Sequence, residues 1–142
     1  MQVAIVLAGV FFLLAGLHVA WLFRPGSAAP SAVVPSLAGK PVLTTGPVAT
    51  AIVAGLLAAA GVICLWRVGV LAWPYPAIPR AGVWVLAIVF AGRAVGDFRY
   101  VGFFKRVRDS TFARYDTALY SPLCVAIALA AFYLAAFGGA GK

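Results

Sequence analysis

Few side chains in this sequence can hold charge or move protons, and most of those few gather near the ends of apolar segments. His18, Arg93, Asp97, Asp116 and Tyr120, with Trp21 beside them, are the candidates. An imidazole titrates near neutrality and suits a proton role. A guanidinium offers a planar fork of donors to a carboxylate or phosphate. Together they would make a binding site for a lipid or a small anionic molecule, with Arg93 on the anionic group, Asp97 and His18 exchanging protons, and Trp21 or Tyr120 as an aromatic wall. Each also has a plainer role. His18 can donate to a backbone carbonyl, Trp21 can anchor an interface, Arg93 can snorkel toward headgroups, and Asp116 suits the start of a helix.

The order of Arg93 and Asp97 is informative. Their spacing puts them on one helical face, but Arg preceding Asp is the weaker order, and an aspartate near a helix C-terminus opposes the macrodipole. Local helix energetics therefore did not select the pair, and a partner on another helix or a ligand is expected. Gly92 and Gly96 form a small-xxx-small pair on the same turn, expected to let a neighbouring backbone approach.

Other chemistries lack their residues. Cys64 and Cys124 stand on separate segments with no Cys-x-x-Cys pair, so each is expected to be a small buried hydrophobe. One histidine and three aspartates give no familiar metal-ligand spacing, no metal site is assigned, and haem would find only His18 as an axial ligand. The sequence names no cofactor.

The elements that must position these residues follow from composition. The chain has 142 residues, 65% hydrophobic and 10% charged, a balance that one water-soluble core of this size cannot hide. A bilayer needs about 20 apolar residues per helix. Four apolar runs meet or approach that, at about 2–23, 48–66, 81–98 and 122–137, so the expected fold is an all-α transmembrane four-helix bundle in one domain over 1–142. Residues 111–120, with Phe112, Tyr115 and Leu119 at helical spacing, are expected to lie along the interface as an amphipathic stretch. Ser121 and Pro122 suit an N-cap and first helical position, a proline kink within a longer fourth helix being the alternative. The first run has no preceding Lys or Arg and exceeds a signal-peptide core, so it is expected to remain as a helix. Prolines 25, 30, 35, 41 and 47 crowd the first connection and prolines 74, 76 and 79 the second, where backbone lacking donors belongs outside hydrocarbon. Trp66, Trp73 and Tyr75 bracket the second connection as an aromatic belt would.

The net charge of +8 encodes orientation. Arg24 and Lys40 lie in the first connection, and Arg99, Lys105, Arg106, Arg108 and Arg114 lie in or beside the third; the other side holds Arg67, Arg80 and Lys142. The positive-inside rule then puts connections one and three in the cytoplasm and both termini on the outer side of a cell membrane, as in a multi-pass protein. On this topology His18, about 9 Å before the inner end of the first helix, Arg93, Asp97, Asp116, Tyr120, Thr44 and Thr45 all approach the inner leaflet. The cationic third connection is expected to attract anionic lipid headgroups. No nucleic-acid reader motif accompanies the charge, and no nucleic acid is expected as partner.

Gly16-Leu-His18-Val-Ala-Trp21, Gly92-Arg93-Ala-Val-Gly96-Asp97-Phe98 with Gly102-Phe-Phe-Lys105, and Phe112-Ala-Arg-Tyr-Asp116 with Leu119-Tyr120-Ser-Pro122-Leu-Cys124 resemble the DUF3995-type family, small bacterial membrane proteins of unknown function. The resemblance spans essentially the whole chain and its most specific part is the third-connection motif. It implies four transmembrane helices and supplies no reaction, substrate or cofactor. Two functional classes stay open: a lipid or anion site at the inner-leaflet cluster, or a non-catalytic accessory or assembly subunit, as a homo-oligomer or within a larger membrane complex, whose cluster fixes helix register. A cavity at the cluster favours the first, and a closed core favours the second.

Overall fold

The computed structural model describes residues 1–23, 33–37, 40–42 and 46–138. Arg24, Pro25, Pro30, Thr44, Thr45 and Lys142 lie outside the described residues. The described residues form four helices long and apolar enough to cross a membrane: α1 (Gln2–Leu22), α2 (Pro47–Arg67), α3 (Ala77–Val95) and α4 (Thr111–Phe137). Between α1 and α2, Ser36–Leu37 and Lys40–Pro41 make a two-residue antiparallel pairing.

Each helix buries one stripe of mostly small residues. On α1 it is Ala4, Leu7, Ala8, Phe11 and Ala15, a 3-and-4 spacing with no charged residue. On α3 it is Pro79, Val83, Ala87 and Ala94. Small side chains let helix backbones approach in a medium that supplies no hydrophobic drive between helices. Gly61 of α2 shows the effect, since a Cβ there would lie 2.9 Å from the Phe12 ring of α1. Outward faces carry Leu13 (73% exposed), Leu56 (66%), Ile88 (68%) and Leu129 (64%), a surface suited to acyl chains rather than water. α1 packs chiefly on α2, and α3 chiefly on α4. The Arg67 guanidinium reaches the Ala135 carbonyl at 3.3 Å, so α2 and α4 finish at one end of the bundle. α3 finishes at the other, beside the start of α4.

Three boundaries differ from expectation by more than a residue or two, the simplest being the start of α3 at Ala77 rather than Ala81. α3 stops at Val95 rather than near Phe98, because Gly96 adopts φ +92, a conformation that ends a helix and suits glycine. α4 begins at Thr111 rather than Pro122, with Ser110 as its N-cap, the Ser110 hydroxyl accepting from the Ala113 N–H at 3.1 Å. Residues 111–120 are thus the first turns of α4, and the alternative of a longer fourth helix with Pro122 inside it is the one that holds. Pro122 is tolerated inside because the preceding turn, Asp116–Tyr120, is a π turn in which the Ser121 N–H donates to the Asp116 carbonyl. The widened turn has a packing consequence. It steps the buried face from Asp116 to Ser121, five residues on, and leaves Leu119 exposed.

Candidate functional site

Asp116 sits in that π turn with no exposed surface. Its Oδ1 accepts from Arg93 Nη2 at 2.9 Å. Its Oδ2 accepts from the Gly102 N–H at 2.8 Å, Lys105 Nζ at 3.0 Å and Ser121 Oγ at 3.3 Å. Lys105 is itself 2% exposed, and its ammonium also donates to the Gly102 carbonyl at 3.0 Å and to Thr117 Oγ1 at 2.6 Å. All three ammonium donors are therefore used. The Thr117 hydroxyl passes its own proton to the Ala113 carbonyl at 3.1 Å. One carboxylate so ties the end of α3, the third connection and the start of α4 into a single clamp, in which two cations face one anion.

The connection of residues 96–110 is folded to reach it. Gly96 (φ +92) and Gly102 (φ +87) lie back to back, and a Cβ on either would collide with the backbone of the other's segment. The Phe103 N–H donates to the Ala94 carbonyl at 2.9 Å, satisfying a helix-end acceptor. Asp97 caps the turn: its Oδ1 accepts from the N–H groups of Arg99 (2.9 Å), Tyr100 (2.7 Å) and Val101 (2.9 Å). Burial alone would raise this carboxyl, but the Val101, Arg99 and Tyr100 donors more than offset it and hold it below its ordinary 3.8.

The expected ligand-binding residues separate into four groups. Arg93 and Asp116 meet directly. Asp97 does not pair with Arg93; it lies past the helix end, and its carboxylate is committed to its own loop backbone. His18 donates from Nδ1 to the Leu14 carbonyl at 2.7 Å and its ring lies 4.8 Å from that of Trp21, a local pair on α1. Tyr120 is half-buried, with its ring 6.0 Å from Phe112 and 6.5 Å from Tyr115. Gly92 is not a packing contact, since a Cβ there would meet nothing within 4 Å. Its position on α3 is exposed, whereas Ala94 is buried. Gly96 does serve a close approach, but toward its own connection.

Lys105, Gly102, Thr117 and Ser121 were not singled out as site residues by the sequence. The usable signal was the string Gly102-Phe-Phe-Lys105, which places a cation three residues after a glycine in the most specific motif.

Beside the clamp, an open groove of about 740 Å³ runs along the first turns of α4, lined by Arg108, Thr111, Arg114, Tyr115 and Thr117. Arg108 is steadied by Nε donating to the Lys105 carbonyl at 3.3 Å. Thr117 belongs to both features, being a groove wall and a Lys105 partner. The clamp carboxylate has both oxygens engaged and offers no free base. The groove offers two guanidinium groups and room beside them.

No curated protein and no solved structure matches the chain. Residues 11–131, which include every clamp and groove residue, match the family described as Protein of unknown function (DUF3995), and the chain belongs to that family.

Proposed function

We propose that this chain is a multi-pass protein of the bacterial inner membrane that binds an anionic group, from a lipid or a small free molecule, in the groove between the third connection and the start of α4. The observation that carries the reading is the groove itself, with Arg108 and Arg114 on an open volume of about 740 Å³ and threonine and tyrosine hydroxyls beside them. Guanidinium groups bind phosphate and carboxylate with fixed geometry, and a cationic end of the bundle draws anionic headgroups. The positive-inside count supports a cytoplasmic groove and outer termini. The saturated Asp116 clamp supports binding rather than proton transfer, because it stiffens the wall behind the groove without supplying a base. The same closed clamp also favours a second reading, an accessory subunit in which it serves only to fix helix register.

Native mass spectrometry of protein released from membranes containing phosphatidylglycerol tests the first reading. The parent protein should retain phosphatidylglycerol in preference to phosphatidylcholine. Arg108→Gln with Arg114→Gln should lose that preference while keeping the parent melting temperature. Competition by inorganic phosphate separates a free-anion site from a lipid site. Equal retention of both lipids by parent and variant, with no phosphate effect, would move the assignment to the accessory subunit.

A further inference from the structure

The third connection carries a second feature that the groove does not use. Phe98, Phe103 and Phe104 are 58%, 40% and 62% exposed, and the Phe98 and Phe104 rings lie 6.3 Å apart. Apolar rings grouped on a surface mark something that covers them. These rings are not on a frayed segment. The Phe103 and Phe104 N–H groups donate to the Ala94 and Val95 carbonyls at 2.9 and 3.5 Å. Phe98 is held at φ +61, a conformation that bulky residues rarely adopt, and the three successive N–H groups that follow it are gathered on Asp97. The backbone is thus bent and pinned so that the phenyl groups face outward.

Cations share the same short connection. Arg99, Arg106 and Arg108 are exposed, and the Arg99 guanidinium lies 5.1 Å from the centre of the Tyr100 ring. Aromatic rings flanked by arginines suit the boundary between headgroups and acyl chains, where an amphipathic segment sinks about 5–10 Å. The connection also joins α3 directly to α4, two helices long and apolar enough to cross a membrane. We infer that the third connection is an interfacial wedge, with Phe98 and Phe104 seated in the acyl boundary of the anionic leaflet and Arg99 and Arg106 among its phosphates. The occupant of this surface is the leaflet itself, chosen over a protein partner by the charge that surrounds the rings. The inference stands independently of the groove, since ring depth does not require a bound anion.

Nitroxide labels at Phe98→Cys, Phe104→Cys and Arg106→Cys, in vesicles of phosphatidylglycerol and phosphatidylethanolamine, measure it directly. Cys64 and Cys124 are buried, so labelled parent protein serves as the blank. The ratio of oxygen to nickel-chelate accessibility should be several-fold higher at positions 98 and 104 than at 106. All three side chains are exposed, so folding is expected to survive, and the melting temperature of each labelled protein checks it; either phenylalanine position alone carries the test. A nickel-dominated signal at 98 and 104 equal to that at 106 would place the rings in water and overturn the inference. Low accessibility to both reagents would mean that protein covers the rings, and would overturn it equally.

Discussion

Asp116→Asn keeps the size of the clamp's central side chain but removes its charge, leaving Arg93 and Lys105 around a neutral amide. The Lys105 and Asp116 side chains are 1% and 0% exposed, so the pair lies where stripping one partner costs about 3–5 kcal/mol. Arg93, at 33% exposed, can turn outward, which favours the lower end of that range. Lys105→Met is a different perturbation. Asp116 would still hold Arg93, the Gly102 N–H and Ser121, so the loss is the three hydrogen bonds of the Lys105 ammonium, of which the one to the carboxylate is worth about 1.5–3 kcal/mol. The two changes should interact with opposite sign. In the Asp116→Asn background Lys105 is a stranded cation, and Lys105→Met should raise stability there although it lowers stability in the parent. Unfolding in mixed micelles with increasing dodecyl sulfate, followed by circular dichroism, gives all four free energies. If Lys105→Met lowers stability equally in both backgrounds, the carboxylate is not what holds Lys105, and the clamp argument fails.

The glycines of the third connection should separate cleanly in the same assay. Gly102→Ala meets backbone atoms of Val95 and Gly96 at φ +87, and Gly96→Ala meets the Val101 backbone at φ +92, so both should be strongly destabilising, whereas Gly92→Ala, in the last turn of α3, meets nothing within 4 Å and should be neutral or gain about 0.5–1 kcal/mol. Asp97 should give the connection an acid limit. Its carboxyl is held below 3.8 in the fold, so its contribution is present above the unfolded value and is lost as pH falls through the lower folded one. The amide resonances of Arg99, Tyr100 and Val101 should titrate together below pH 3.8, and Asp97→Asn should abolish that shared titration.

The four spans were legible because hydropathy over about 20 residues reports directly on the solvent a helix requires. The start of α4 was not, because Ser121 and Pro122 carry the local chemistry of a helix beginning. Only the π turn before them, a feature of packing that five ordinary residues do not announce, keeps the helix running through. The order of Arg93 and Asp97 points to a partner on another helix or a ligand for Arg93, and the carboxylate that it meets is Asp116. The partner lies 23 residues away, a separation at which no periodicity connects two charges. Lys105 was hidden by company. Among Arg99, Arg106 and Arg108 it counts as one more cation of the third connection, and nothing in residue type marks it as the one of these four that turns inward. His18 and Trp21 were matched to the others by depth, which places groups in a layer of the membrane without saying which side of the bundle they face.

The clamp also bears on how the chain enters the membrane. An arginine opposes insertion of a lone helix by up to about 2.5–3.5 kcal/mol at the helix centre and by less near an end, and α3 carries Arg93 in its last turn with its carboxylate partner on α4. Neither helix is complete as a membrane solute until the other arrives. The connection between them contributes Lys105 and Gly102 to the same carboxylate, so α3, the connection and α4 form one helical hairpin that partitions more cheaply together than in sequence. The ion pair is therefore complete only once α3 and α4 stand side by side. The first two helices, with no charged side chain before Arg67 closes the second, are free to enter one at a time.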